Sequence, residues 1–168
     1  MTCADNNDDA ATAFSPGFFD AITCHTLVEY VPGPQDLLQA LVATLKPGGL
    51  LSLLAVNPHS DALRWALAKG DLEQAHQALG QTRSSTTLFG INRHVYTGET
   101  LRQTLAELGM ESVATYGVRI FADYLPAEKL ADPVFFASLV ELEMAAGSLV
   151  PYKLIARYSQ LLGQKSTS

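Results

Sequence analysis

The stretch FDAITCHTLVEYVPGPQDLLQALVATLKPGGLLSLLAVN, residues 19–57, holds two apolar segments joined by a helical one. Residues 19–24 form a run with the length of a buried strand. Pro34 suits the first turn of a helix, and the leucines that follow it recur at helical spacing. Residues 50–56 are almost wholly apolar, as is typical of a strand buried on both faces. The pattern predicts a right-handed βαβ unit in a parallel sheet.

The bulk composition of the 168-residue chain, 48% hydrophobic and 17% charged, predicts one α/β domain with a sizeable core. No apolar run approaches the ~20 residues of a membrane span, and residues 1–13 are polar and acidic, unlike a targeting peptide. Cys3 and Cys24 give neither a disulfide framework nor a metal motif. These features predict a cytoplasmic protein without a metal and without a membrane partner.

The net charge of −6 argues against a DNA-binding protein, because proteins that hold duplex nucleic acid by its phosphates are usually basic. A local patch of arginine and lysine can still dock a tRNA, although acidity makes tight non-specific RNA binding unexpected.

The chain is predicted to be a single domain over residues 1–168, with four parts. These are a loop (1–18), the βαβ core (19–57), helices with a substrate-side loop (58–110), and C-terminal strands with a helical insertion (111–168). More local predictions are N-caps at Ser60 and Thr97, a surface loop over 80–92, strands over 112–121 and 158–162, and helix over most of 123–147.

The segment FDAITCHTLVEYV followed by LKPGGLLSL resembles the central strand pair of class I S-adenosylmethionine-dependent methyltransferases. A narrower resemblance, to the enzymes that esterify the carboxylate of 5-carboxymethoxyuridine at the tRNA wobble position, rests on a second set of residues. These are Asn57, His59, residues 117–125, Pro151-Tyr152 and the triplet Ala156-Arg157-Tyr158. Together the matches run from about Cys3 to the C-terminus.

The resemblance implies a partial Rossmann-like sheet flanked by helices: the last four strands of the family, mostly parallel, with an antiparallel final strand. It also implies S-adenosylmethionine as cofactor. The sequence has no G-x-G run after an apolar strand, so it resembles the C-terminal part of a methyltransferase without the glycine-rich cofactor loop. Three functions stay open: methylation of a tRNA wobble-uridine carboxylate, methylation of a small molecule, or an inactive fragment or subunit.

No catalytic acid or base is predicted. A sulfonium leaving group needs no acid, and a carboxylate that is ionised at pH 7 needs no base. The chemistry then depends mostly on positioning and desolvation.

Three residues are predicted cofactor contacts by the resemblance: Asp5 and Asn6 in the loop that meets the adenine ring, and His25 just after the first strand. The alternatives are a solvated acidic terminus for Asp5 and Asn6, and a loop histidine satisfied by backbone groups for His25.

Arg119, Tyr124 and Asn57 are predicted substrate contacts. An arginine inside an apolar strand is costly to bury unless it meets an anion, and a guanidinium can hold a carboxylate by two parallel bonds. The alternative for Arg119 is an internal ion pair with Asp123 or Glu141. Tyr124 can stack on a base or simply pack, and Asn57 can form a turn instead. Ala122 and Gln160 stand where the tRNA enzymes often have histidine, which leaves a small carboxylate as an alternative substrate.

The first predicted strand would lie at the edge of the sheet without a neighbour that the family places there. We therefore expect the isolated chain to self-associate along that edge or to bind a missing N-terminal half. We also expect weak or no S-adenosylmethionine binding by this chain alone.

Overall fold

A four-stranded sheet with strand order β1-β2-β6-β5 organises the protein, which a computed structural model describes over residues 14–31, 33–80, 83–88 and 91–167. Strand β1 pairs in parallel with β2, and β6 runs antiparallel to both of its neighbours. The predicted sheet, mostly parallel with an antiparallel final strand, is confirmed. The strands are β1 (Phe19–His25), β2 (Leu45–Val56), β5 (Met110–Val118) and β6 (Tyr158–Lys165).

Seven α-helices and several single turns connect these strands within the described residues. They are α1 (Pro34–Thr44), α2 (His59–Leu63), α3 (Leu72–Ala78), α4 (Gly98–Glu107), α5 (Ala127–Leu130), α6 (Pro133–Ala146) and α7 (Tyr152–Ile155). A π turn (Arg64–Ala68) continues α2, and 3-10 turns occupy Val28–Tyr30 and Ala122–Tyr124. Pro34 opens α1 as predicted, and Thr97 caps α4 by accepting a hydrogen bond from the Thr100 N–H at 3.1 Å.

One face of the sheet carries the main hydrophobic core. Leu51, Leu53 and Ala55 of β2 and Leu161 of β6 are almost fully buried on this face. Helices α1 and α4 cover it with their apolar stripes, Leu37, Leu38, Val42, Leu101 and Leu105. We call this the closed face. Because α1 and α4 bury one stripe each against it, the helical spacing of their leucines predicted both helices correctly.

The alternate residues of the same strands face the other way and are far more exposed. Leu50 is 54% exposed and Leu162 is 39% exposed, and the side chains of Thr23 and His25 are also exposed. We call this the open face. Within the described residues β1 pairs only with β2, so β1 is an edge strand of this sheet, as predicted.

Lys165, at the end of β6, fastens the end of α1 to the sheet. Its ammonium donates hydrogen bonds to the carbonyls of Val42 and Leu45, each at 2.8 Å. A cation at this place adds a charged donor to carbonyls at the end of the helix and interacts favourably with the helix dipole.

Gly117 in β5 lets α7 approach the strand by its backbone. A Cβ at this position would lie 2.6 Å from the Lys153 Cα and 2.7 Å from the Ala156 Cβ. Every side chain other than hydrogen would therefore push α7 away from the sheet.

Three local predictions were wrong. Residues 80–92 do not form one loop, because β3 (Arg83–Leu88) and β4 (Ile91–His94) pair antiparallel as a second, two-stranded sheet. The β-branched residues of this stretch favour such pairing. Ser60 is not an N-cap: it lies inside α2, and its hydroxyl donates to the Asn57 carbonyl at 2.7 Å. Strand β5 ends at Val118 rather than at residue 121.

Candidate functional site

The carboxyl ends of the parallel strands meet at one edge of the sheet. Tyr158, the first residue of β6, pairs with Val56 of β2 and with Val118 of β5, while β1 ends at His25. Ligands of open α/β sheets bind at this edge. The residues that follow these strand ends, including Asn57 and Arg119, are therefore placed where a substrate would be expected.

Two of the strand ends carry unusual backbone. Thr26, directly after β1, has φ 51°, and Arg119, directly after β5, has φ 59°; they are the non-glycine residues with positive φ in the described ranges. Such conformations are unfavourable for residues with a side chain and tend to cluster at functional sites. Both lie at the carboxyl edge of the sheet.

His25 belongs to a line of polar side chains across the open face. Its Nε2 lies 2.8 Å from the Ser52 Oγ, and the Gln160 side chain donates to the same oxygen at 3.1 Å. The His25 ring is thus tied to β2 through a side chain rather than satisfied by backbone groups, and it stays exposed at the end of β1. The predicted contact of His25 with a cofactor stays a prediction; the ring is exposed at the edge of the sheet where such a ligand would bind.

Arg119 does not lie inside an apolar strand, which corrects the argument from the sequence. It follows β5 and its side chain is 53% exposed, so the burial cost that was expected to demand an anion does not arise. The guanidinium pairs with the Asp123 carboxylate, the internal partner considered as an alternative, and lies 5.9 Å from the Tyr158 ring centroid. More than half of this cation still faces solvent.

Arg119 is the exposed end of a chain of ion pairs. Asp123 also lies 3.9 Å from Arg157, and Arg157 donates to Asp61 at 2.9 Å. Arg64 approaches Asp61 at 3.8 Å. These five side chains are three guanidinium groups and two carboxylates. Only Arg119 among them is largely exposed, since the side chains of the others are 11–20% exposed.

Tyr124 lies next to this chain of ion pairs on the 3-10 turn that carries Asp123. Burial, with a contribution from Asp123, raises the pKa of the Tyr124 hydroxyl. The phenol is therefore neutral over the physiological range and can donate a hydrogen bond.

Asn57 has a structural role in the described residues. Its amide nitrogen donates to the carbonyls of Leu154 and Ala156 at 2.8 and 2.9 Å, and its oxygen accepts from the His59 N–H at 3.2 Å. The residue is 2% exposed. These bonds join the end of β2 to α7 and support the turn that was considered for it; a substrate contact by Asn57 stays a prediction that the geometry does not favour.

Two cavities open near the edge. One, of about 390 Å³, lies beside Arg119 between the ends of β5 and β6 and α6, and Tyr116, Glu143, Met144 and Gln160 line it. A larger cleft of about 650 Å³ lies between α2, α4 and β5 and includes His59 and Lys153 in its lining. Within the described residues no cluster of three or more His, Cys, Asp or Glu could hold a metal ion, and no helix is long and apolar enough to cross a membrane.

A family model described as a methyltransferase domain matches residues 3–115. This chain belongs to the methyltransferase domain family. The match covers the βαβ unit and the carboxyl ends of β1 and β2, where His25 and Asn57 lie.

Relatives with known functions agree with this assignment. The tRNA 5-carboxymethoxyuridine methyltransferase of Escherichia coli K12 is 30% identical over 152 residues, which is 89% of this chain and 55% of the relative. A ubiquinone biosynthesis O-methyltransferase of Xanthomonas campestris is 47% identical, but only over 45 residues. The chain spans about half the length of the first of these relatives.

Solved structures with a similar fold include S-adenosylmethionine-dependent methyltransferases. One from Archaeoglobus fulgidus has a TM-score of 0.57 and 14% identity, and the match covers 97% of this chain and 66% of that one. One from Thermotoga maritima, described as a possible histamine N-methyltransferase, has a TM-score of 0.58, 15% identity and coverage of 91% and 59%. At this identity the likeness shows the fold, and it confirms the Rossmann-like sheet.

S-adenosylmethionine is the cofactor of this class, and His25 stays the predicted contact for it among the described residues. The His25 ring is exposed at the end of β1 and held by Ser52, as a residue that contacts a ligand at this edge would be. Asp5 and Asn6, the other predicted contacts, lie outside the described residues, and their role stays a prediction.

Sequence reasoning missed two acidic residues of the site. Asp61 pairs with Arg157, and nothing in its local sequence indicates this. Glu143 had a signal that could have been used: it falls four residues after Leu139 on the buried stripe of α6, with Phe135 a further turn back. A carboxylate on a buried stripe needs hydrogen-bond partners, and those of Glu143 are backbone N–H groups of residues 120–122.

Proposed function

We propose that this methyltransferase acts on the carboxylate of 5-carboxymethoxyuridine at the wobble position of a cytoplasmic tRNA. The observation that carries the proposal is the half-exposed guanidinium of Arg119, at the carboxyl edge of the sheet and beside the 390 Å³ cavity. The 30% identity to the E. coli enzyme with this substrate in its name supports it.

Arg119 suits a carboxylate ligand in both geometry and charge. Asp123 pairs with this guanidinium and is shared with Arg157, and the Arg119 side chain stays 53% exposed. A planar guanidinium binds a carboxylate by two parallel hydrogen bonds, which orients the ligand as well as attracting it. The neutral phenol of Tyr124 can add a hydrogen bond or stack on the base.

The chain's own residues would act by positioning. S-adenosylmethionine, when bound, supplies the methyl group from a sulfonium centre. Arg119 would bind the substrate carboxylate, and His25, which contacts Ser52, would contact the cofactor at the same edge. An ionised carboxylate is already a competent nucleophile at pH 7, so orientation and exclusion of water are the contributions required from the protein.

The proposal is tested with anticodon stem-loop RNAs that differ only at the wobble position. We expect the chain to bind RNA with 5-carboxymethoxyuridine ~10-fold or more tightly than RNA with its methyl ester, because a hydrogen bond to a charged group is worth about 1.5–3 kcal/mol. Arg119→Gln should remove this preference, and Arg119→Lys should keep only part of it. Equal affinity of the wild-type chain for both RNAs would overturn the proposal.

A transfer assay addresses the reaction itself. S-adenosylmethionine is labelled in its methyl group. Because this chain alone is expected to bind the cofactor weakly or not at all, transfer should be slow, and the label that enters the carboxylated RNA should be released by mild base, as an ester would be. Label in RNA with plain uridine, or label that resists base, would indicate a different acceptor atom. Preferential labelling of free small carboxylates would favour the small-molecule alternative.

A further inference from the structure

The carboxylate of Glu143, on α6, binds three consecutive backbone N–H groups. Its Oε2 accepts from Ile120 at 2.7 Å, and its Oε1 accepts from Phe121 at 2.8 Å and from Ala122 at 2.9 Å. These residues lie more than twenty positions before Glu143 in the sequence, so the contact fixes one segment of the chain against another.

The backbone of residues 119–122 has the shape of an anion-binding concavity. Arg119 is left-handed with φ 59°, and Phe121 returns to the right-handed helical region. Successive N–H groups in such a turn point to a common centre that favours negative charge. Here a side chain of the protein itself occupies that centre.

This loop carries the groups of the proposed substrate site. Arg119 lies at its start, and the 3-10 turn that follows presents Asp123 and Tyr124. On its other side the loop is held by the residue that precedes β6, because the Arg119 carbonyl accepts from the Arg157 N–H at 3.0 Å. Glu143 binds N–H groups of the loop, and the Arg157 N–H binds a carbonyl at its start.

We propose that Glu143 is a positioning residue, which holds the loop in the backbone conformation that aims the Arg119 guanidinium at a substrate carboxylate. This inference rests on the proposed function. Glu143 does not serve as a direct ligand of the substrate, because both of its oxygens are occupied by the three N–H groups.

Glu143→Gln removes the charge and places an N–H₂ group where one acceptor was, so at least one of the three backbone bonds is lost. Glu141→Gln is the matched control. It is the same chemical change on the same helix, at an exposed position that shares no hydrogen bond or ion pair with the loop. Its loss of charge is identical, so any difference between the two variants reports the contact with the loop.

The first measurement is amide hydrogen exchange in the wild-type chain and both variants. We expect Ile120, Phe121 and Ala122 to be protected in the wild type and in Glu141→Gln, and to exchange ~10-fold or more faster in Glu143→Gln, with Leu53 and Leu161 unchanged. Fast exchange of these three amides in the wild-type chain would by itself overturn the proposal, because Glu143 would then not hold the loop.

The second measurement is the preference for carboxylated over esterified stem-loop RNA. Glu143→Gln should lose most of this preference, and Glu141→Gln should retain it. Glu143→Asp, which keeps the charge but has a shorter reach, should fall between the two. A full preference in Glu143→Gln, with its loop amides exposed, would overturn the positioning role. If the proposed function itself is wrong, the wild-type chain will show no preference for the carboxylated RNA over the esterified RNA, which distinguishes this outcome from a failure of the positioning role.

Discussion

The closed and open faces of the sheet use the same strands in different ways. Leu51, Leu53 and Ala55 point to the closed face and are at most 2% exposed, whereas Leu50, on the same strand, is 54% exposed on the open face. Two helices cover the closed face, and the open face carries the hydrogen-bonded line of His25, Ser52 and Gln160.

This difference separates stability from recognition. A strand with leucines on both faces reads as buried on both, yet the apolar cluster that joins β2 to the helices uses only alternate residues. The free energy of folding of the described part should therefore depend mainly on the closed face, and changes on the open face should alter binding surfaces at little cost in stability.

The largest expected effect tests the two faces directly. Leu51→Ala should destabilise the chain by about 2–5 kcal/mol, because it leaves a cavity in a packed core. The neighbouring Leu50→Ala should change stability by less than about 0.5 kcal/mol. Urea unfolding measures both, and equal losses would show that the open face is covered in solution.

Cys24 provides a pH test of the closed face. Burial, with a contribution from Glu29, raises the pKa of its thiol from 9.0 to about 11. Between pH 9 and 11 the unfolded chain loses this proton first, so the free energy of unfolding should fall as pH rises, by at most about 2.7 kcal/mol.

The control is Cys24→Ala, which should be less stable at neutral pH but should lack this part of the pH dependence. Titration of lysines and tyrosines affects both proteins and cancels in the difference. Identical slopes between pH 9 and 11 would contradict a buried, neutral thiol.

Lys165 tests how α1 is held on the closed face. Lys165→Met should cost about 1–2 kcal/mol, because carbonyls at the end of α1 lose a charged donor. Lys46→Met is the comparison: Lys46 forms an exposed ion pair with Asp20, and its loss should cost less than about 0.5 kcal/mol. Thermal unfolding distinguishes the two variants, and similar midpoints would contradict the assigned role.

The smallest effect is expected on the open face. Ser52→Ala removes the hydroxyl that links His25 to Gln160 and should cost less than about 1 kcal/mol, since water can replace those bonds. NMR of the His25 ring should show its loss of a fixed orientation. A cost comparable to that of Leu51→Ala would place the polar line inside a packed interior.

The βαβ unit could be predicted from the sequence because its signals are local. Pro34, the leucines of α1 and the apolar run of β2 each indicate an element by spacing alone, and the Thr97 cap is equally local. The paired strands β3 and β4 were missed because the stretch is polar and contains glycines, a composition that favours a loop when it is read without knowledge of the strand pairing.

The site was harder to predict because its contacts join distant parts of the sequence. Arg119 was expected in a strand, but β5 ends one residue earlier, and this changes a buried cation into a half-exposed one. Asn57 bonds to carbonyls nearly a hundred residues away, which its local sequence does not indicate. The spacing of residues in the sequence does not give the exact residue at which a strand ends. It also does not reveal contacts between residues that lie this far apart in the chain.

Because Gly117 has no side chain, α7 packs closely against β5 just before the loop of residues 119–122. Gly117 lies two residues before Arg119, and it fixes how near β5 and α7 stand. A methyl group there would clash with Lys153 and Ala156, so the backbone at the start of the loop would have to shift. Under the proposed function, the alignment of Arg119 with a carboxylate therefore depends in part on the missing side chain of Gly117.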